Sequence, residues 1–449
     1  MELTLEKVRQ LLEEGQDLLA GKEAARLHPA ELAEVIESLD EDEKRRLFAV
    51  LPARLAAEVV VELSDYSKEQ VLEGILTQRL ADIIDDMPSD EATDLVAELP
   101  PDQAREVLKR IDHEDSAEVR TLLRYPEDTA GGLMQLEMVA VRADQTVQEA
   151  IEEFRRRRDE VGELHNVFVV DEHGGLIGQL PLSRLLLADP QEPVSAVMEE
   201  CPLVIHADED QEAVAHKFRR YDVVSAPVVD DHERLLGRIT IDDVMEVLEE
   251  EAQEDLARMA GFSGDDEVFY SKEIFKITRL RLPWLLSNLF GGLVTGGVLW
   301  LFKMKLSDAL FLLPFIPVIN AMAGNMGVQS STLMVRGFAV GRVDVHNVWE
   351  LLFKEIRVAV VMGLACGTLV GVVAHFWRGS VMLGVVVGIS MTLAICNASL
   401  LGTLVPTILK KLGVDPAISS GPVVTTLNDM SGITVYFLVA TLFYRLLVN

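Results

Sequence analysis

Asp429 stands inside an apolar stretch, Val423 to Val448, that is long enough to cross a bilayer. A carboxylate at membrane depth costs at least about 2.5 to 3.5 kcal/mol on insertion scales, so it faces a bundle interior, a water-filled path or an ion. The chemistry it offers is electrostatic, the selection of a cation; a hydrogen bond to Ser or Thr on a neighbouring helix is the structural alternative. Of the acids after Arg279, which are Asp308, Asp344, Glu350, Glu355, Asp415 and Asp429, only Asp429 falls well within a hydrophobic segment. A second polar interruption, PFIPVINAMAGNMGVQSSTLMVRGFA, puts Gly324, Asn325, Gly327 and Gln329 in an otherwise apolar helix. Small residues there let backbones approach, and amides at that depth need partners in protein or water. A third constellation is acidic and precedes the apolar segments. Asp222, Asp242, Asp243, Glu246, Glu250, Glu251, Glu254 and Asp255 lie close in sequence or in one module, and like charges repel when such parts pack. Hard divalent cations prefer oxygen ligands, so several weak carboxylate sites together suit a millimolar sensor. A merely solvated face is the alternative.

Other chemistries lack their residues. Cys201, Cys366 and Cys396 are scattered and too few for a disulfide framework or a thiolate metal site. The nine histidines form no HExxH-type spacing. No nucleophile with its base, phosphate loop or metal-catalytic motif is present, so the chain does not read as an enzyme. Charge excludes more. Before Arg279 there are 67 acids against 29 bases, a net of −38, whereas the remaining 171 residues carry 6 and 12, a net of +6. So acidic a front half repels nucleic acid and keeps company with cations. MELTLEKVRQ is charged and amphipathic, which predicts that it is not a signal peptide.

The elements that must position these residues follow from hydropathy. Five spans are expected, near Leu282 to Phe302, Ala309 to Val335, Val358 to Phe376, Val381 to Leu409 and Val423 to Val448. An odd number puts the two termini on opposite sides of a lipid bilayer. Nine bases, Lys276, Arg279, Arg281, Arg336, Arg342, Lys354, Arg357, Lys410 and Lys411, flank the spans on the side of the acidic half. Four, Lys303, Lys305, Arg378 and Arg445, lie opposite, so the acidic half is expected in the cytoplasm of a cell-membrane protein. Trp284, Trp300, Trp349 and Trp377 fall near span ends, as an interfacial belt requires.

The front half holds two sets of repeats. A 24-residue unit starts at Leu32, Ala56, Leu80 and Ala104, and each copy pairs two short amphipathic helices about a polar turn. Stacked copies would bury one continuous apolar face as an all-α solenoid. Farther on, VAVRADQTVQEAIEEF matches LVIHADEDQEAVAHKF, and VFVVDEHGGLIGQL matches APVVDDHERLLGRI. Each copy reads strand, helix, two short strands, helix. These residues resemble a tandem pair of CBS domains, a regulatory α/β module that often binds adenine nucleotides. In the second copy GRITIDD supplies Thr240 and Asp243 at the spacing that in that family holds phosphate and ribose, which implies ATP as a candidate ligand. The first copy has Pro181 and Arg184 there, leaving at most one nucleotide site. The expected order is a helical-repeat domain (1–133), the CBS pair (134–250), an acidic linker or plug helix (251–279) and an all-α domain of five transmembrane helices (280–449).

GNMGVQSST in span two, GVDPAISSGPVVTTLNDMSG before and within span five, and this domain order resemble the MgtE family of magnesium channels over nearly the whole chain. The resemblance implies a homodimer with one pore on its two-fold axis, lined by spans two and five of both subunits, with Asp429 facing the axis. Mg2+ sheds water reluctantly, so a wide filter gripping it through its hydration shell, with backbone carbonyls and the Asn325 amide in support, suits the ion. Gly421 stands where some relatives carry an amide side chain, so no side-chain ligand is expected there. The resemblance further implies closure by cytosolic Mg2+. Its sensor residues map to Asp90 and Asp94 of the solenoid, to Asp210, Glu212, Asp222 and Asp243 of the CBS pair, and to Glu246, Glu251, Glu254 and Asp255 of the connecting or plug helix. Feedback of this kind requires the closed state to bind more ions than the open one. Two other readings compete: an ion-coupled divalent cation carrier, although inverted repeats are not evident, and a membrane-anchored magnesium sensor that conducts nothing.

Overall fold

Prolines and acidic caps cut the beginning of the chain into short helices. Pro52, Pro88 and Pro100 each stand just before a helix, and Asp40 caps another, accepting from the Glu43 amide while Glu43 reaches back to the Asp40 amide. The repeat becomes four helix pairs: Pro29–Glu37 with Glu41–Val50, Ala53–Val61 with Asp65–Leu72, Thr77–Ile84 with Ser89–Glu98, and Pro101–Val107 with His113–Leu122. Their apolar faces merge into one core through Leu32, Leu47, Val59, Leu80, Ile84, Leu95 and Val119. A recurring hydrogen bond pins the stack. The Ser64 amide donates to Glu37 at 2.9 Å, and two repeats on the Asp112 amide donates to Asp85 at 2.9 Å. Between them the pattern lapses, because Pro88 stands at the donor position without an N–H and Val61 at the acceptor's.

The computed structural model describes residues 2–157, 164–259, 274–303, 310–339, 342–343, 348–419 and 421–443, and divides into two compact units, Met1–Glu251 and Ala252–Asn449. The first unit continues from the helix stack into two three-stranded sheets: β1 (Ala140–Arg142), β2 (Asn166–Val170) and β3 (Leu176–Pro181), then β4 (Ile205–His206), β5 (Ser225–Val229) and β6 (Leu235–Thr240). In each copy the first two strands pair in parallel across a helix, Val147–Arg156 or Gln211–Tyr221, and the last two form an antiparallel hairpin. All five residues of β5 are buried, and after Ser225 the remaining four form an apolar run. The hairpin tips meet: the Leu176 amide donates to the Glu233 carbonyl at 2.9 Å and the Leu235 amide to that of Gly174 at 3.1 Å. From β6 the chain enters the helix Ile241–Met259 directly. Residues 260–273 of the expected linker, and the expected fifth span beyond Phe443, lie outside the described residues.

In the second unit, span one is Ile274–Lys303, span two Ile316–Ala339 after a 3-10 turn, span three Val348–Arg378, span four Val381–Lys411 and span five Pro422–Leu442. Each provides a stretch long and apolar enough to cross a membrane. Span three begins well ahead of the expected Val358, which draws Glu350 and Glu355 into its helix. Spans three and four approach backbone to backbone. A side chain at Gly367 would start 2.5 Å from the Gly388 carbonyl oxygen, and one at Gly371 would start 2.7 Å from that of Gly384. Lipid offers no hydrophobic drive for helices to associate, so this backbone contact holds the pair. Elsewhere Phe302 stacks on Phe437 with ring centroids 5.2 Å apart, and the buried Tyr436 hydroxyl donates to the Leu312 carbonyl at 2.8 Å. Gly367→Val is expected to cost about 1–3 kcal/mol through overpacking. The check is thermal unfolding of the detergent-solubilised protein, where Gly292→Val, at a glycine with open space around it, should leave the midpoint unchanged.

Candidate functional site

Two groups of polar residues concentrate where water is scarce, one in each unit. In the first, the segment Gln135–Glu137 ties the helix Ser89–Glu98 to β6. The Ser89 amide and hydroxyl both donate to Glu137 at 2.7 Å, and the Leu136 amide donates to the Ser89 hydroxyl at 2.9 Å. On its other side Gln135 exchanges two backbone hydrogen bonds with Arg238, at 2.7 and 2.9 Å. These ties bring Asp90 and Asp94, four residues apart on one helix face, together with Glu91 beside Asp90, towards the first turns of Ile241–Met259. There Asp243, Glu246 and Glu250 stand at the same kind of spacing.

The electrostatics are those of crowded acids. Asp90 is 5% exposed, its Oδ1 has no partner among the described residues, and burial, then Asp243 and Glu91, hold its carboxyl well above the usual range. Burial, then Asp243 and Glu246, push Glu91 up to about 8; burial, then Glu127 and Glu246, push Asp94 up to about 7. Asp243 reaches about 6 through burial, although hydrogen bonds from Thr240 pull it back. Burial also raises Glu246 and Glu250. The side chains of Asp94, Glu246 and Glu250 keep an exposed face, so water screens them and the weight of the effect rests on Asp90 and Glu91. A compact set of this kind must take up protons or cations.

The remaining sensor residues of the sequence reading lie elsewhere. Asp210 caps the helix Gln211–Tyr221, accepting from the Glu212 and Ala213 amides at 3.0 and 3.3 Å. Glu251 accepts from Gln211 at 2.8 Å, and Glu212 lies 3.7 Å from His216. Asp222 ends that helix in the left-handed conformation, with φ 54°. In the second unit Glu254 pairs with Arg258, which also pairs with Asp415 just ahead of span five. Among the described residues no three His, Cys, Asp or Glu side chains converge on one point. Thr240 and Asp243 engage each other: the Thr240 hydroxyl donates to Asp243 at 2.6 Å and its amide at 2.9 Å, a cap at the start of Ile241–Met259. In the first copy Arg184 instead pairs with Glu199 at 3.0 Å. Glu91 was not among the expected sites; its signal in the sequence is its place beside Asp90 and three residues before Asp94.

The second site is the seam between spans two, four and five. Gly327 is required there: a Cβ would start 1.6 Å from the Asn428 amide nitrogen and 3.1 Å from Val424. Asn428 is fully buried, and neither its Nδ2 nor its Oδ1 has a partner among the described residues. One turn along span five, Gly432 faces Asn320 and Ala323 of span two, within 3.7 Å of where its Cβ would be. Asp429 therefore lies between two points at which span five is fitted to span two, and it is half-buried. Across the seam Asn325 and Gln329 are exposed on span two, on the side that the chain itself leaves uncovered. Gly421 caps span five without a side chain, ahead of Pro422. One acid had no role in the sequence reading. Glu355 is 8% exposed and accepts from the Ser330 hydroxyl at 3.2 Å, so a second carboxyl is buried among the spans.

Known proteins are similar to this chain over most of its length. The MgtE divalent cation transporter family matches residues 316–439, the MgtE intracellular N domain matches 27–128, and the CBS domain matches 130–190 and 194–250. The magnesium transporter MgtE of Enterococcus faecalis is 35% identical over 421 residues, 93% of this chain and 92% of its own length. That of Thermus thermophilus is 34% identical over 441 residues, 97% of each. A crystal structure of the cytosolic domain of the Mg2+ channel MgtE in complex with ATP aligns at a TM-score of 0.52 and 33% identity, over 54% of this chain and 99% of that one.

The pH dependence of the acidic face follows from its raised carboxyls. Each favours the folded form at low pH and loses that contribution as pH rises from the unfolded value near 4 through the folded values of about 7 and 8. In chelator, the protease resistance of the front half should therefore fall between pH 5.5 and pH 8.5 (on the order of the titration range of these carboxyls), and Mg2+ should restore it at the higher pH. Glu91→Gln should flatten both responses. Resistance independent of pH and of Mg2+ would remove the acidic face from consideration.

Proposed function

This chain belongs to the MgtE family of magnesium transporters, and from that premise we propose that it is a Mg2+-selective channel for uptake, closed from the cytosolic side by Mg2+ itself. The observation that carries the reading is the polar seam at membrane depth. Asp429 is half-buried beside the fit of Asn428 into Gly327, while the amides of Asn325 and Gln329 stand on a face of span two that a single subunit does not cover. Amides in hydrocarbon need partners. A second copy of the chain across a two-fold axis supplies them, turns one carboxylate into two and encloses a water-filled path. Two carboxylates then attract the hydrated cation, and Asn325 with backbone carbonyls holds its water shell in place of a dehydrating cage. On this reading the N-terminal half lies in the cytoplasm, on the side where the bases at the span ends are most numerous.

Gating rests on the acidic face. The orphaned, buried Asp90 oxygen beside Asp243, with Glu91, Asp94 and Glu246 around them, suits a divalent cation, whose oxygen ligands these are. Asp210, Glu212, Asp222 and Glu251, with Glu254 and Asp255, are the further regulatory ligands of the proposal. Bound ions favour the packed, closed arrangement; their loss leaves repelling carboxylates and favours the open one. The CBS pair would add an adenine nucleotide such as ATP, with Asp243 accepting from ribose hydroxyls. A relative's cytosolic domain in complex with ATP supports this.

The test is Mg2+ flux into liposomes carrying the purified protein. Wild type should conduct at low internal Mg2+ and be suppressed at high internal Mg2+ by about five- to 150-fold, the usual span of a regulatory coupling. Asp429→Ala should lose flux or selectivity. Flux that depends on an imposed proton or sodium gradient would favour a coupled carrier. Absence of flux, with Mg2+-dependent protease sensitivity retained, would leave a sensor.

A further inference from the structure

Glu355 is the buried carboxyl that the ion path does not use. It lies in span three, seven residues after Val348, just as Asp429 lies seven residues after Pro422 in span five, so each is about 10 Å along its helix. Asp429 lies inside the apolar stretch of span five, whereas Glu355 precedes by three residues the continuously apolar part of its helix, which begins at Val358. Their surroundings differ. Glu355 is 8% exposed, its partner is the Ser330 hydroxyl of span two at 3.2 Å, and that hydroxyl is itself 3.2 Å from the Ser399 hydroxyl of span four. Ser330 and Ser399 are 1% and 0% exposed. Span four is locked to the same place by Gly402, where a Cβ would start 2.4 Å from the Gly327 carbonyl oxygen and 3.0 Å from the Ser330 Cβ. Gly327, one turn before Ser330, is the notch that Asn428 fills. Glu355 of span three is therefore tied to span two at Ser330, and Ser330 to span four at Ser399, one turn from the seat of the residue next to Asp429.

We infer that Glu355 is a positioning residue for ion passage: by holding Ser330 it fixes span two in the register that seats Asn428 in the Gly327 notch and thereby aims Asp429. The inference rests on the reading of the membrane half as the ion path. Geometry favours a tie over a further ion ligand. The partners of Glu355 are hydroxyls already linked in a chain, and a carboxyl completes that chain either as acceptor or, when neutral, as donor. The function of the tie does not require its charge.

The experiment uses the full-length protein in liposomes, with Glu355→Ala, Glu355→Gln, Ser330→Ala and the Glu355→Ala/Ser330→Ala double variant. The readouts are Mg2+ flux, the ratio of Mg2+ to Ca2+ flux, and the thermal midpoint in detergent. Glu355→Ala and Ser330→Ala should each lower Mg2+ flux about fivefold or more, the factor that goes with losing one interhelical hydrogen bond, and both should blunt Mg2+ over Ca2+ discrimination. The double variant should be no worse than the worse single, because both act through one contact. Glu355→Gln, which keeps a donor and an acceptor, should restore most of the flux and the discrimination. The inference is overturned if Glu355→Gln is as damaging as Glu355→Ala, since charge is then what matters. It is overturned equally if the single losses multiply, or if the midpoint falls while the flux ratio holds. Wild-type liposomes that pass no Mg2+ would sink the channel reading and this inference with it, whereas the variant patterns bear on Glu355 alone.

Discussion

Carboxylates placed where water cannot fully solvate them are the constraint from which the rest of this molecule follows. An isolated ionised carboxylate is driven to take up a proton, find a cation or recover water. The chain creates that situation deliberately in both units. In the first, Ser89, Glu137, Gln135 and Arg238 form a bracket of hydrogen bonds that holds Asp90 and Glu91 against Asp243. None of the bracket residues is part of the acidic face proper; their effect is to prevent the acids from swinging away from one another. On the proposed reading, crowding enforced by a rigid frame is what would make the face responsive to ions, because side chains free to move would relax the repulsion without any ion.

In the second unit the frame is made from absence. Gly327 accepts Asn428, Gly402 accepts the Gly327 carbonyl, and Gly363, Gly367 and Gly371 accept span four. Apolar side chains cannot drive this association in lipid, whereas close backbone contact and buried hydroxyl bonds can. The consequence is a set of spans whose registers are fixed by one or two atoms of clearance, which suits a path where a shift of that size changes what passes.

Much of this was legible in the sequence, and the reasons are specific. Asp429 was visible because hydrophobic residues flank it on both sides, and the helix pairs because their spacing recurs without insertion. The CBS pattern was visible because strand and helix alternate with matching turns. Glu355 was not visible as a buried acid, because WELLFKEIR reads as a charged membrane boundary and hydropathy becomes continuous only at Val358. The helix in fact starts at Val348, and the packing of spans two and four around its first turns seals a charge that composition alone would leave in water. Glu91 was hidden for the opposite reason: one more acid in an acidic run carries no information until a partner helix is placed beside it. Thr240 and Asp243 show a third kind of ambiguity. The same four-residue spacing that suits a nucleotide also caps a helix, and here the cap is what the two side chains form.

On the proposed reading, the contrast between Asp429 and Glu355 separates cargo contact from support. Asp429 is half-buried and has no tie to a hydroxyl of a neighbouring span among the described hydrogen bonds, so its oxygens are free to meet water on an open side. Glu355, at a matching distance from the start of its own helix, is closed off and accepts a hydrogen bond from Ser330. A group that must exchange ions at a useful rate needs the first environment, since conduction requires binding weak enough to release. A group that must hold helices in register needs the second, since a buried, satisfied hydrogen bond is costly to break and therefore persistent. Exchanging their surroundings would give a filter that traps its ion and a tie that water could dissolve.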